Sequence, residues 1–460
     1  MDGLRDEVAL VGVAGHADAA GVAARALAGL THRGGDSGGL VVGDGARFRG
    51  VWPQRVGSLQ DPVTLDPLMG SVAVAKVWSR VSPRRDVSPR RPVCAGTQIG
   101  PMAAALAGRL VNGPELNQLV SRQGAVRAEG TPEELLLHLA AQSTQKRVIN
   151  RLVDALWRLD GAFAALLATT DTLVAVRDPR GFKPLVMGRL DGAVLFASED
   201  VAIRAVGGEV VRDVEPGEMI LVDPRGIQTT FPFRHAPLSP CAQEVVQLAR
   251  LGASVGGRSV WQVREKLGSA LADEGRTDAD VVIPMTGDDT PAAVGLAEAL
   301  QIRWARGVLA APGVGTPSPR SAHAEGWFAV PDVVAGKRVV LVASSLGTGV
   351  TLRAVVKALR QAGVATVHVR MITPPLRRAC PYGVVCPSTD ELASQRGQVG
   401  ASAYGVESMR WLRLPQLHKV LRTSPDQAVC DGCLSGDLPI TPPSDDQLAL
   451  FEGVKRRTST

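Results

Sequence analysis

VVLVASSLGTGVT, residues 339–351, reads as a buried apolar strand that runs into a Gly-rich turn. LRAVVKALRQAG, residues 352–363, continues from it as an amphipathic helix. A strand, a glycine turn and a helix N-terminus in that order present backbone N–H groups to an anion. Ser345, Gly347, Gly349 and Thr351 are therefore candidate phosphate-loop residues. Such loops carry acidic side chains where they also hold a sugar or a metal. Here Ala343 and Ser344 stand at that point.

The pattern around this stretch repeats. A helix over 259–274 precedes a buried strand at 279–285, and a helix over 290–301 precedes the strand at 336–344. A third strand, TVHVRMITP, lies at 366–374. Apolar strands alternating with helices indicate a parallel α/β sheet. Before residue 240 the texture differs. Short strands such as EVALVGVAG (7–15) and AVLFASE (193–199) mix with a hairpin whose turn is Asp44-Gly45. ADAAGVAARALAGLTHRGG (17–35) is an amphipathic helix ended by glycines, and PELNQLVSRQG (114–124) is a second. TPEELLLHLAAQ (131–142) is a helix with Pro132 near its first turn. This half is an α+β region of layered antiparallel sheets.

Composition sets bounds on function. The 460 residues are 45% hydrophobic, 21% charged and 4% aromatic, enough for two or three domains with large cores. The formal net charge is +6, but the basic residues are scattered, so no nucleic-acid partner is expected. The basic repeat VSPRRDVSPRRP (81–92) reads as a solvated loop. No apolar run is long enough for a membrane span, and the start lacks a signal-peptide pattern, so the expected compartment is the cytoplasm. Six cysteines in a reducing compartment point to metal before disulfide.

With both halves placed, the chain resembles the glutamine phosphoribosylpyrophosphate amidotransferases over about residues 8–440. The resemblance rests on THRGGDSGG (31–39), GRLVN (108–112), LDGAFA (159–164), DPRGFKPL (178–185), ASED (197–200), VEPGEM (214–219), DTPAAVGLAEA (289–299) and GKRVVLV (336–342). It implies an Ntn-hydrolase-like αββα glutaminase domain over residues 1–235. A type I phosphoribosyltransferase α/β domain with a parallel sheet follows over 236–425, and then a tail over 426–460 that contains a CxxC. In the family, ammonia released from glutamine in the first domain displaces pyrophosphate from phosphoribosylpyrophosphate in the second, opening purine synthesis. Members form homo-oligomers, so assembly with itself or with an active relative is expected.

Residue by residue, the resemblance exposes departures. The glutaminase nucleophile is an N-terminal cysteine whose own α-amine handles the proton. Val8 stands at its position, and the first Ser, Thr or Cys in the chain is Thr31. The arginine for the substrate carboxylate falls at about Val77 and the oxyanion-hole asparagine at Ala107, with Gly108 remaining beside it. The aspartate for the substrate amine falls at Pro132. His32, Arg33 and Gly34 are retained, and Arg33 is expected to hold backbone carbonyls or a core carboxylate. Cys94 reads as an ordinary loop cysteine.

In the transferase half, Ala343 and Ser344 replace the acidic pair that binds the ribose hydroxyls. Bound magnesium is accordingly not expected, while a phosphate or nucleotide remains a possible ligand of the loop. Pro284, Thr286 and Gly287 stand in the pyrophosphate loop. Asp288 and Asp289 either compensate in part or form a helix N-terminus with Pro291 behind them. The catalytic loop, 305–328, lacks its expected Lys, Tyr and Phe richness, and Gly326 and Pro331 replace phosphate-binding cations. The cysteines contrast with all this. Some relatives hold a 4Fe–4S cluster, and its ligands fall on Cys241, Cys380, Cys430 and Cys433. A Cys₄ zinc site is the chemical alternative. Cys386 is left over as a structural residue. The expectation is a catalytically degenerate family member with a regulatory or scaffolding role. An active enzyme with atypical residues and a nucleotide or phosphate sensor are the rival readings.

Overall fold

The computed structural model describes residues 4–6, 8–35, 37–53, 55–66, 68–78, 91–98, 100–124, 130–275, 277–311, 326–422, 424 and 428–443. The chain folds into two compact units. One comprises 6–238 with 381–383 and 439–460, and the other 239–380 and 384–438 with residues 1–5. The CxxC of the tail thus belongs to the second unit. Most of the basic repeat at 81–92 and the centre of the loop at 305–328 lie outside the described residues.

The first unit is a sandwich of two antiparallel sheets. Seven strands run in the order 209–213, 186–190, 193–197, 8–14, 72–78, 37–43 and 48–51. Six more run in the order 226–230, 219–223, 173–177, 161–168, 100–110 and 93–97. Alternation in the strands builds the layers. In Val8–Ala14, Leu10 and Ala14 join the core between the sheets, while Ala9, Val11 and Val13 face the helix Ala19–Ala28. A Cβ at Gly12 would stand 3.0 Å from a Leu173 methyl group, so glycine sets the spacing of the two sheets there. Helices 113–122, 132–142 and 148–156 cover the outer face of the second sheet. The order of layers is αββα, as expected. The hairpin over 37–51 and the helices at 114 and 131 also form where the sequence places them. The helix over 17–35 does not run through: it ends at Ala28, and Thr31–Gly34 makes a separate turn. Cys94 lies on the exposed edge strand Val93–Thr97 rather than in a loop.

The second unit holds a parallel sheet in the order 281–284, 338–343, 366–371 and 408–411. Val281, Ile283, Val339 and Leu341 enter one core, and Val282, Val340 and Val342 enter the other. Both faces are therefore buried, which is why these strands are apolar throughout. Among the described residues no helix is long and apolar enough to cross a membrane.

Candidate functional site

Three places in the two units carry the residues singled out above. The first lies where the Val8–Ala14 strand begins. Val8 is half-buried and packs against the core between the sheets. Two residues earlier, the buried carboxylate of Asp6 accepts bonds from Arg33 Nη1 and Lys183 Nζ, both at 2.9 Å. Arg33 also donates through Nε to Glu199, whose Oε1 lies 2.7 Å from His32 Nε2. Burial alone would raise the Glu199 carboxyl, but Arg33 and then His32 draw it down to about 2. Arg33 thus holds two core carboxylates, one of the two roles expected of it.

Beside this network lies a pair that the sequence alone does not reveal. Val77 points into the core on the helix side. The neighbouring Lys76 points the other way, and its Nζ donates to Glu133 Oε1 at 2.5 Å. The same oxygen accepts the Leu106 N–H at 3.1 Å. Lys76 and Glu133 are 2% and 1% exposed. The fold places Glu133 locally: Thr131 caps the helix by accepting the Glu134 N–H, Pro132 fills the first turn, and Glu133 follows facing inward. Ala107 joins the core between the sheets. Gly108 has φ +104°, and a Cβ there would meet the Ala162 carbonyl at 2.0 Å, so its retention has a backbone cause. The one sequence signal of this pair is Lys76 itself, a single charge inside the apolar strand VAVAKVW.

The second place is the glycine turn of the parallel sheet. Ala343 ends its strand fully buried. Ser344 Oγ donates to Asp289 Oδ1 at 2.5 Å. The other oxygen of Asp289 accepts the Thr286 N–H at 2.9 Å and the Thr286 hydroxyl at 2.6 Å. Asp289 is therefore the third residue of a capping box, and Pro291 opens the helix Thr290–Leu300 behind it. The helix N-terminus read for Asp288–Asp289 is formed, through Asp289. Burial pushes the Asp289 carboxyl up, against the hydrogen bonds from Ser344 and Thr286. Ser345 Oγ donates to Gln247 at 2.6 Å. Gly349, at φ +81°, caps the helix Val350–Gln361, in which Thr351 is the second residue. Gly347 precedes it, its carbonyl accepting the Ala393 N–H.

The third place gathers cysteines within the second unit. Cys241 and Cys430 face each other across a short parallel bridge: Ala242 N donates to the Cys430 carbonyl and Cys430 N to that of Pro240, both at 2.9 Å. Arg377 N donates to the Cys433 carbonyl at 2.8 Å, which brings the segment before Cys380 to the CxxC. Burial, and then the Cys380 and Cys430 thiols, push the Cys433 thiol well above its ordinary range. Three backbone segments, carrying Cys241, Cys380 and the Cys430–Cys433 pair, thus approach one another. Gln243 Nε2 donates to Cys433 Sγ at 3.7 Å, and its Oε1 is buried with no hydrogen-bond partner. His418 and Asp431, 2.6 Å apart, brace the CxxC from behind. Among the described residues no three His, Cys, Asp or Glu side chains close on a single ion. Four thiols are the donor set of a 4Fe–4S cluster and equally of a Cys₄ zinc site.

An αββα sandwich joined in one chain to a parallel sheet with a glycine turn defines a two-unit protein of the glutamine amidotransferase and phosphoribosyltransferase kind. Comparison with known proteins agrees. A family model described as a glutamine amidotransferase domain matches residues 79–205. An amidophosphoribosyltransferase of Rhizobium etli is 34% identical over 463 residues, covering 95% of this chain and 92% of that protein. The Bacillus subtilis amidophosphoribosyltransferase is 30% identical over 446 residues, covering 95% and 94%. The solved structure of a B. subtilis glutamine phosphoribosylpyrophosphate amidotransferase complexed with ADP and GMP superposes with a TM-score of 0.86 at 29% identity, covering 95% of this chain and 98% of that one. This chain belongs to the amidophosphoribosyltransferase family.

Proposed function

We propose that this chain is a family member that has lost both the glutaminase and the transferase reaction and serves as an iron–sulfur regulatory or scaffolding protein in the cytosol. The observation that carries this reading is the pairing at both former sites. In the glutaminase half Val8 offers no nucleophile, and the lysine next to Val77 is engaged by Glu133 within the core. Where a transferase needs carboxylates aimed at ribose, Ser344 is turned onto Asp289, which caps a helix. Neither carboxylate is held in reserve for a ligand.

Cys241, Cys380, Cys430 and Cys433 would hold a 4Fe–4S cluster, with the Gln243 amide donating toward its sulfur shell. When bound, the cluster supplies a cross-link between distant segments of the second unit and a redox-sensitive centre. The chain's own residues do the rest: the Cys241–Cys430 bridge and the Arg377–Cys433 bond hold the ligand segments together. Assembly with a second copy or with an active relative fits such a role.

Calorimetric titration with phosphoribosylpyrophosphate and magnesium tests the reading. No heat is expected, and saturable binding would favour an active enzyme with atypical residues instead. A second reading, a phosphate or nucleotide sensor, is favoured by the intact Gly349 turn at the helix N-terminus. Titration with nucleoside monophosphates separates it from a scaffold: heat supports the sensor, and no heat supports the scaffold.

A further inference from the structure

The cysteine locality holds one thiol more than a four-ligand centre uses. Cys386 is buried, and its Sγ accepts the Cys380 N–H at 3.1 Å. A residue's own N–H and sulfur are separated by only two carbon atoms. A sulfur bonded to the Cys380 N–H therefore lies within reach of the place the Cys380 sulfur occupies. The surrounding backbone holds the two ends of this segment together. Ala379 N donates to Thr389 Oγ1 at 3.1 Å, tying the residue before Cys380 to the turn after Cys386. On the CxxC side, the Arg377 bond to Cys433 fixes the same segment.

We propose that Cys380 and Cys386 share one corner of the iron–sulfur centre, so that either sulfur can serve as the fourth thiolate ligand. The inference rests on the iron–sulfur reading above. Exchange between them breaks one iron–sulfur bond as it forms another. The proton leaving the incoming thiol is taken by the outgoing thiolate, so no electron moves and no oxidant is needed. The consequence is a centre that survives loss of one ligand at this corner and at no other.

The test compares wild-type protein, purified without oxygen, with Cys380→Ala, Cys386→Ala, the double variant and Cys430→Ala. The readouts are iron and sulfide per chain and visible absorbance, with circular dichroism to confirm folding. Cys380→Val, which offers iron no ligand atom, replaces the alanine variant if that one unfolds. Sharing gives about four irons in the wild type, at least half that load in each single variant at 380 or 386, and less than a tenth in the double variant and in Cys430→Ala. A loaded wild type with a folded variant at 380 as empty as the double variant overturns the sharing alone. A wild type without iron and sulfide overturns the iron–sulfur reading and the sharing with it.

Discussion

The buried pairs of the two units and the cysteine locality treat their polar groups in opposite ways. At the sandwich, Lys76 and Glu133 satisfy each other, and at the parallel sheet Ser344 and Asp289 do the same. The segments that carry Cys241, Cys380 and the Cys430–Cys433 pair are instead joined by backbone hydrogen bonds. Side chains paired inward stabilise a fold, whereas the bonds that join the cysteine segments run between backbone atoms. The difference separates polar groups spent on the fold from thiols for which the proposed function supplies a partner.

The largest effect expected is at the buried ion pair. Lys76→Ala or Glu133→Ala leaves one buried charge without its partner and should cost about 3–5 kcal/mol, read by urea denaturation. Replacing both with apolar residues should recover most of that loss. A single variant costing under about 1 kcal/mol would break the comparison, because the pair would then behave as a loose surface bridge. Glu199 offers a pH test of the same inward pairing. Its carboxyl lies at about 2 in the fold against an ordinary 4.5. The stability it contributes is present above pH 4.5 and is lost as pH falls toward 2, at most about 3 kcal/mol. Glu199→Gln should flatten that part of the pH profile.

Removing the proposed cluster with a chelator and reductant should destabilise the second unit by about 2–4 kcal/mol, the range typical of a lost cross-link. Differential scanning calorimetry would show it as a lowered transition in that unit. The smallest effect is at Ser344. Ser344→Ala deletes one hydrogen bond to a buried carboxyl and should cost about 1–2 kcal/mol. Ser344→Asp places a like charge against Asp289 and should cost more without restoring phosphoribosylpyrophosphate binding, measured by calorimetry.

Much of this is legible in the sequence, for physical reasons. The apolar strands between helices could form only a parallel sheet buried on both faces, and the Asp44-Gly45 turn could only close a hairpin. The fourth parallel strand, Ser408–Trp411, is hard to read because SMRW is short and half polar. The helix Val148–Leu156 is also absent from the expected elements, although its apolar residues recur with helical spacing. The glycine turn and the four cysteines are readable as residue types at set positions. The Lys76–Glu133 pair is not, because its partners lie 57 residues apart and meet only through the packing of a helix against two sheets. Nor is the approach of Cys386 to Cys380, which depends on how the intervening turn closes.

One measurement goes to the centre of the proposal: glutamine-dependent formation of phosphoribosylamine by iron-loaded protein supplied with phosphoribosylpyrophosphate and magnesium, run beside an active relative. Loss of both reactions predicts product no higher than the blank, with glutamine or with free ammonia. Product above the blank that scales with protein concentration would contradict it.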